Sequence, residues 1–171
     1  MELILISGLS GSGKSVALNL LEDAGYYCVD NLPVAMLTVL AAMLQEENVS
    51  KVAVAIDARS GHGIDLLPSK LEKLTENGVE VTFLFLFSNE ETLLKRYSES
   101  RRRHPLAATG QTLDEAIRAE NKLLGPLSTL GHRIDTSGMK AAGLREWVRQ
   151  FIEAEPGQGL TLMFESFGFK H

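Results

Sequence analysis

The chain has 171 residues and a mass of 18.7 kDa, with 44% hydrophobic and 23% charged residues, a composition that is neither disordered nor fibrous. A single domain of this length buries roughly 68–70% of its unfolded surface, so a core forms without metal or disulfide staples. Two large domains are excluded, and with one cysteine so is a disulfide framework. Seventeen basic against 22 acidic residues give a net charge of −5, which argues against holding nucleic acid or anionic membrane by bulk charge.

The amino-terminal run MELILIS has an acid where a signal peptide has basic residues and is too short for an apolar targeting core. The longest apolar stretch, Pro33 to Leu44, is interrupted by Thr38, whereas a bilayer span needs about 20 residues. With the lone Cys28 these features lead us to expect a soluble, cytoplasmic protein.

Short apolar runs predict strands at Leu3–Ser7, Tyr26–Asp30, Val52–Asp57 and Val79–Phe87, with a weaker one at His132–Thr136. Their near-continuous Val, Ile, Leu and Phe content suits strands buried on both faces of a parallel sheet. Between them, Lys14–Ala24 reads as a helix closed by Gly25, and Val34–Gln45 as one opened by Pro33. Ser88–Glu91 and Thr112–Glu115 have the capping-box pattern of helix starts, and a last helix spans Lys140–Glu153. The alternation predicts an α/β, doubly wound, mostly parallel sheet with helices on both faces. Residues 1–154 form that domain and 155–159 a Pro/Gly linker; Leu160–Phe169 then restarts an extended apolar pattern. It reads either as a last edge strand or as the first strand of a second domain.

Gly8-Leu-Ser-Gly-Ser-Gly-Lys-Ser15 matches G-x-x-x-x-G-K-[ST], the P-loop pattern, with an apolar strand entering it and a helical segment leaving it. Gly8, Gly11 and Gly13 allow the backbone to wrap so that its N–H groups converge on phosphate oxygens. The helix that leaves the loop points its positive end at the same anion. Lys14 neutralises the β- and γ-phosphates and the Ser15 hydroxyl can ligate Mg²⁺.

A P-loop works with a further carboxylate. Asp57, closing VAVAI, is the expected Mg²⁺-shell acid; Asp30, closing YYCV, is the alternative or orients an acceptor, and both could simply cap the segments after them. The run from Lys95 and Arg96 to Arg101, Arg102, Arg103 and His104 is basic. Such arginines serve small P-loop kinases on a mobile lid, or close a helix end as solvated charge, or meet an RNA or protein partner. His62, His104 and His132 lack metal-ligand spacing, Cys28 reads as a small buried side chain, and Trp147 is expected to pack into the sheet.

Taken together, GLSGSGKS, GYYCVDNLP, AIDARS, LLKRYSESRRRHPL and the terminal ESFGFKH resemble the RapZ/YvcJ family of bacterial P-loop proteins along essentially the whole chain. The resemblance implies binding of ATP and GTP with weak hydrolysis. Carried over by position, Gly8, Leu9, Ser10, Gly11, Ser12, Gly13, Lys14 and Ser15 form the ATP site, and Asp57, Ala58, Arg59 and Ser60 match the segment assigned to GTP. The family often has Asn where this chain has Ser60. It also implies a C-terminal domain beyond ESFGFKH, which in family members serves small-RNA binding, endoribonuclease partnership and amino-sugar control. Residues 160–171 would be its first strand.

The expected function is that of an ATP- and GTP-binding, Mg²⁺-dependent weak NTPase domain of an RNase adapter. Lys14, Asp57 and Arg101 are the expected catalytic groups and Ser15 and Asp57 the metal ligands. A small-metabolite kinase and an interaction module with a vestigial nucleotide site are the rivals, and a homo-oligomer is left open.

Overall fold

In the computed structural model, residues 1–9, 11–56, 63–100, 104 and 112–153 are described. Five strands, β1 (Glu2–Gly8), β2 (Tyr27–Val29), β3 (Lys51–Ala55), β4 (Glu80–Phe87) and β5 (His132–Asp135), form one sheet in the order β2-β3-β1-β4-β5. Every pairing is parallel, with Leu5 of β1 lying between Val54 of β3 and Phe83 of β4.

Strand side chains alternate between the two faces, and both faces are apolar here. Leu3, Leu5, Val52, Val54, Phe83 and Phe85 meet one helical layer, while Ile4, Ile6, Ala53, Ala55, Leu84 and Leu86 meet the other. The second layer consists of α1 (Lys14–Asp23) and α6 (Ala141–Glu153), which bring Ala17, Leu18, Leu21, Leu144, Trp147 and Phe151. The first consists of α2 (Leu37–Glu46), α3 (Leu67–Glu76), α4 (Glu90–Ser100) and α5 (Leu113–Leu124). This division follows from handedness. The chain steps from β1 outward to β2 through α1, then returns in the opposite direction through β3, β4 and β5, so right-handed crossovers put the later connections on the opposite face. The fold is thus the expected α/β, doubly wound arrangement.

Three helices end in one way. Gly25, Asn48 and Gly78 have φ of 94°, 61° and 83°, and the next residue's N–H reaches back to Leu21, Leu44 and Leu74 at 3.0 Å. This is the Schellman closure that suits Gly and Asn.

Local details depart from the sequence expectations. Pro33 is extended (φ −62°, ψ 138°) and precedes a 3₁₀ turn, Val34–Met36, so α2 opens only at Leu37. Asn89, not Ser88, caps α4: its side-chain oxygen accepts from Thr92 N at 2.7 Å, while the Ser88 hydroxyl is held elsewhere by Thr136 and Arg96. Thr112 does cap α5, accepting from Glu115 N at 3.3 Å. Helix α3 was not anticipated. Cys28 is half-buried rather than buried, and burial near Glu22 pushes its thiol up to about 11. Trp147 is buried and stacks on Phe151 at 5.1 Å. The linker and the extended pattern at 160–169 lie outside the described residues.

Candidate functional site

In an open parallel sheet the ligand crevice lies at the carboxyl ends of the strands where the winding reverses. Here β1 is that place, with β3 on one side and β4 on the other, and the glycine-rich loop leaves from its end. Gly8 has φ 144°, and a Cβ there would stand 2.1 Å from the Leu86 carbonyl oxygen. The loop therefore lies directly against β4, fixed by Leu9 N donating to that carbonyl at 3.1 Å.

Gly11 and Gly13 also have positive φ, 84° and 110°. A Cβ on Gly13 would strike Leu144 of α6 at 2.5 Å, and one on Gly11 would press on the Tyr97 ring at 3.2 Å. Only glycine meets both demands at once. Ser12 closes the turn, its N–H and its hydroxyl both donating to the Leu9 carbonyl.

Helix α1 begins at Lys14 with Gly13 as its N-cap, no side chain caps it, and its first turn holds no acidic residue. First-turn amides have no carbonyl partner within their own helix, and the helix dipole makes that end positive. The Lys14 ammonium donates to Gly8 O at 2.8 Å, so the charge lies across the loop. Ser15, exposed in the first turn of α1, is a hard oxygen donor beside it. Loop, helix end and lysine together form an anion site suited to phosphate.

A cleft of about 210 Å³ adjoins the loop, lined by Gly11, Gly13, Val16, Arg96, Met139 and Leu144 among others. Arg96 is half-buried in its wall. Its guanidinium donates to Gly11 O (2.8 Å), Ser88 Oγ (3.1 Å), Thr136 Oγ1 (3.2 Å), Thr136 O (2.6 Å) and Met139 O (3.3 Å). Burial lowers its pKa, and nearby Asp135 partly offsets that. The sequence leaves Arg96 as a lid arginine, a helix-end cation or a partner contact; the structure places it between the loop and the ends of β4 and β5. Ser88, Thr136, Met139 and Leu144 carry no local sequence pattern that marks them as site residues.

Asp30 is exposed and accepts from Asn31 N at 2.8 Å, shaping a turn in which Asn31 has φ 54°. His104 is buried against Glu120 at 3.1 Å, both side chains wholly inaccessible, with the Tyr97 ring 5.3 Å away. Backbone pairing of β3 with β1 continues to Ile56, whose N–H donates to Ile6 O at 2.8 Å. Ser10, the segment Asp57–Ser60 beyond Ile56, and Arg101–Arg103 lie outside the described residues.

A family model described as the RapZ-like N-terminal domain matches residues 1–156. The chain belongs to the RapZ-like family. This RapZ-like domain is 84% identical over 171 residues to a nucleotide-binding protein of Dechloromonas aromatica (strain RCB), and 53% identical to one of Chromobacterium violaceum. In each case all of this chain and 61% of the relative are covered, so the chain spans about three-fifths of the length of the curated relatives it matches. Among solved structures, it is similar to the tunicamycin resistance protein of Deinococcus radiodurans, at a TM-score of 0.62 and 15% identity, covering 89% of this chain and 95% of that one. Shikimate kinase from Acinetobacter baumannii gives a TM-score of 0.56 at 20% identity, covering 88% and 92%. At these identities the likeness establishes the fold alone, a parallel α/β sheet with helices on both faces. Among the described residues no helix is long and apolar enough to cross a membrane.

Proposed function

We propose that this RapZ-like domain binds a nucleoside triphosphate, ATP or GTP, hydrolyses it slowly with Mg²⁺, and acts as the nucleotide-responsive half of a longer RNase adapter. The observation that carries the reading is the uncapped amino terminus of α1 with the Lys14 ammonium laid across the glycine loop, at the winding reversal of the sheet. It is supported by the relatives in Dechloromonas aromatica and Chromobacterium violaceum, which are nucleotide-binding proteins. The phosphates lie in the loop and the nucleoside end in the neighbouring cleft. Lys14 and the first-turn amides of α1 take the negative charge. Ser15 and Asp57 are the oxygen donors that would hold Mg²⁺, which when bound neutralises phosphate oxygens. Asp57 to Ser60 are the further nucleotide-contacting segment, and Arg101 a cation for charge on the terminal phosphoryl group.

Slow turnover is part of the proposal, supported by Arg96, the arginine that lines the cleft beside the loop, having both Nη atoms on protein oxygens. The RNA and endoribonuclease partners belong in this reading to the C-terminal portion, beginning with residues 160–171, and the cell compartment is the cytoplasm. Calorimetry with ATP and with GTP tests the site. The wild type is expected to bind, and Lys14→Ala to weaken binding at least tenfold; binding unaltered in Lys14→Ala, or none by the wild type, overturns it. Rapid ATP turnover dependent on a small hydroxyl acceptor would instead identify a metabolite kinase.

A further inference from the structure

The loop is gripped from behind by a cluster that shares no residue with the P-loop motif. The Thr136 hydroxyl donates to Ser12 O at 2.7 Å, with Phe87 O a weaker acceptor at 3.3 Å. Its proton being used there, Thr136 Oγ1 accepts from Ser88 Oγ at 2.6 Å and from Arg96 Nη1. Arg96 Nη1 in turn holds Gly11 O, while Nη2 holds the carbonyls of Thr136 and Met139. Two consecutive loop carbonyls, Gly11 and Ser12, are thus tied to the ends of β4 and β5.

We propose that Arg96 and Thr136 are positioning residues of the phosphate loop, which aim its amides and do not themselves touch the phosphates. The inference rests on the nucleotide reading above and assigns these residues a role within it. Its physical basis is peptide planarity. In a trans peptide the carbonyl and the N–H of the next residue point in opposite directions. Holding Gly11 O toward Arg96 turns Ser12 N–H the other way, onto Leu9 O, which closes the turn. Holding Ser12 O toward Thr136 likewise turns Gly13 N–H away from the cluster. A planar guanidinium with forked donors can hold groups on three segments at once, which a single ammonium cannot. Both Nη atoms are already engaged with protein oxygens, so Arg96 is not among the groups that take the phosphate charge.

The experiment measures affinity for ATP, ADP and inorganic tripolyphosphate in the wild type, Arg96→Lys, Thr136→Val and Thr136→Ser. If the cluster aims the loop, Arg96→Lys and Thr136→Val weaken all three ligands by a similar factor, about tenfold, and Thr136→Ser restores wild-type binding. A loss for ATP alone would make Arg96 a terminal-phosphate contact and overturn the proposal. A loss for ATP and ADP without tripolyphosphate would make it a base contact, with the same consequence. Unchanged affinity in both Arg96→Lys and Thr136→Val also overturns it. Should Arg96→Lys not fold, the Val and Ser variants of Thr136, which keep or nearly keep the side-chain volume, decide the matter. Failure of the wild type to bind any of the three would instead defeat the nucleotide reading itself.

Discussion

Gly8 and Gly25 both have positive φ, yet they answer to different constraints. At Gly25 a Cβ would find nothing within 4 Å, so alanine there meets only the left-handed backbone penalty. At Gly8 the same Cβ would enter the Leu86 carbonyl oxygen, and β1 would have to part from β4. Gly25→Ala should therefore cost about 1 kcal/mol and Gly8→Ala about 3 kcal/mol. Urea unfolding of the two variants checks this, and equal losses would count against the clash at β4. The glycine spacing of the P-loop is plain in the sequence, but the second demand on each glycine is not. Leu86, Tyr97 and Leu144, which crowd these positions, stand tens of residues away in the chain. Arg96 shows the same limit: its position in a basic run points to solvent or phosphate, while its partners at Gly11 and Thr136 are 85 and 40 residues distant.

At the scale of elements, the strands were legible because both faces of a parallel sheet must be apolar, which leaves runs such as VAVAI and FLFLF with little ambiguity. Helix α3 was not. Its inward stripe is only Leu67, Leu71 and Leu74 amid Lys, Glu and Thr, a thin signal at helical spacing. At the start of α4 the capping-box pattern puts the cap at Ser88, but tertiary contact to Thr136 engages that hydroxyl and Asn89 caps instead. Strand β5 carries a consequence for pH. His132 is half-buried with its ring edge-on to Phe151 of α6 at 5.6 Å, and burial lowers its pKa below the ordinary 6.5. The unfolded chain then binds the proton more readily than the folded one. Stability from this residue is complete above about pH 6.5 and declines as pH falls through that value toward the lower folded pKa. His132→Gln should flatten the fall in unfolding free energy between pH 7 and pH 5, measured by urea titration; an unchanged slope would remove His132 as its source.

For the molecule as a whole, two apolar layers share one sheet, and β1, β2, β3 and β4 each contribute to both. Neither layer can melt without exposing the reverse side of the other, so unfolding of the domain should be a single cooperative transition. Trp147, the only tryptophan, sits in the layer of α1 and α6, while circular dichroism reports on all helices. Their urea midpoints should coincide. A Trp147 midpoint clearly below that of the helices would mean that α6 and the P-loop helix come away first.

The three matched helix closures at Gly25, Asn48 and Gly78 all lie where helices turn back into strands, at the end of the sheet opposite the glycine loop. The domain accordingly has a working rim and a plain one. Backbone bonds within each turn close the plain rim, and at Gly25 and Gly78 the space beyond is open. It is there that an inserted epitope, a fluorophore or a tether to a surface can be placed, leaving the far rim to meet its ligand undisturbed.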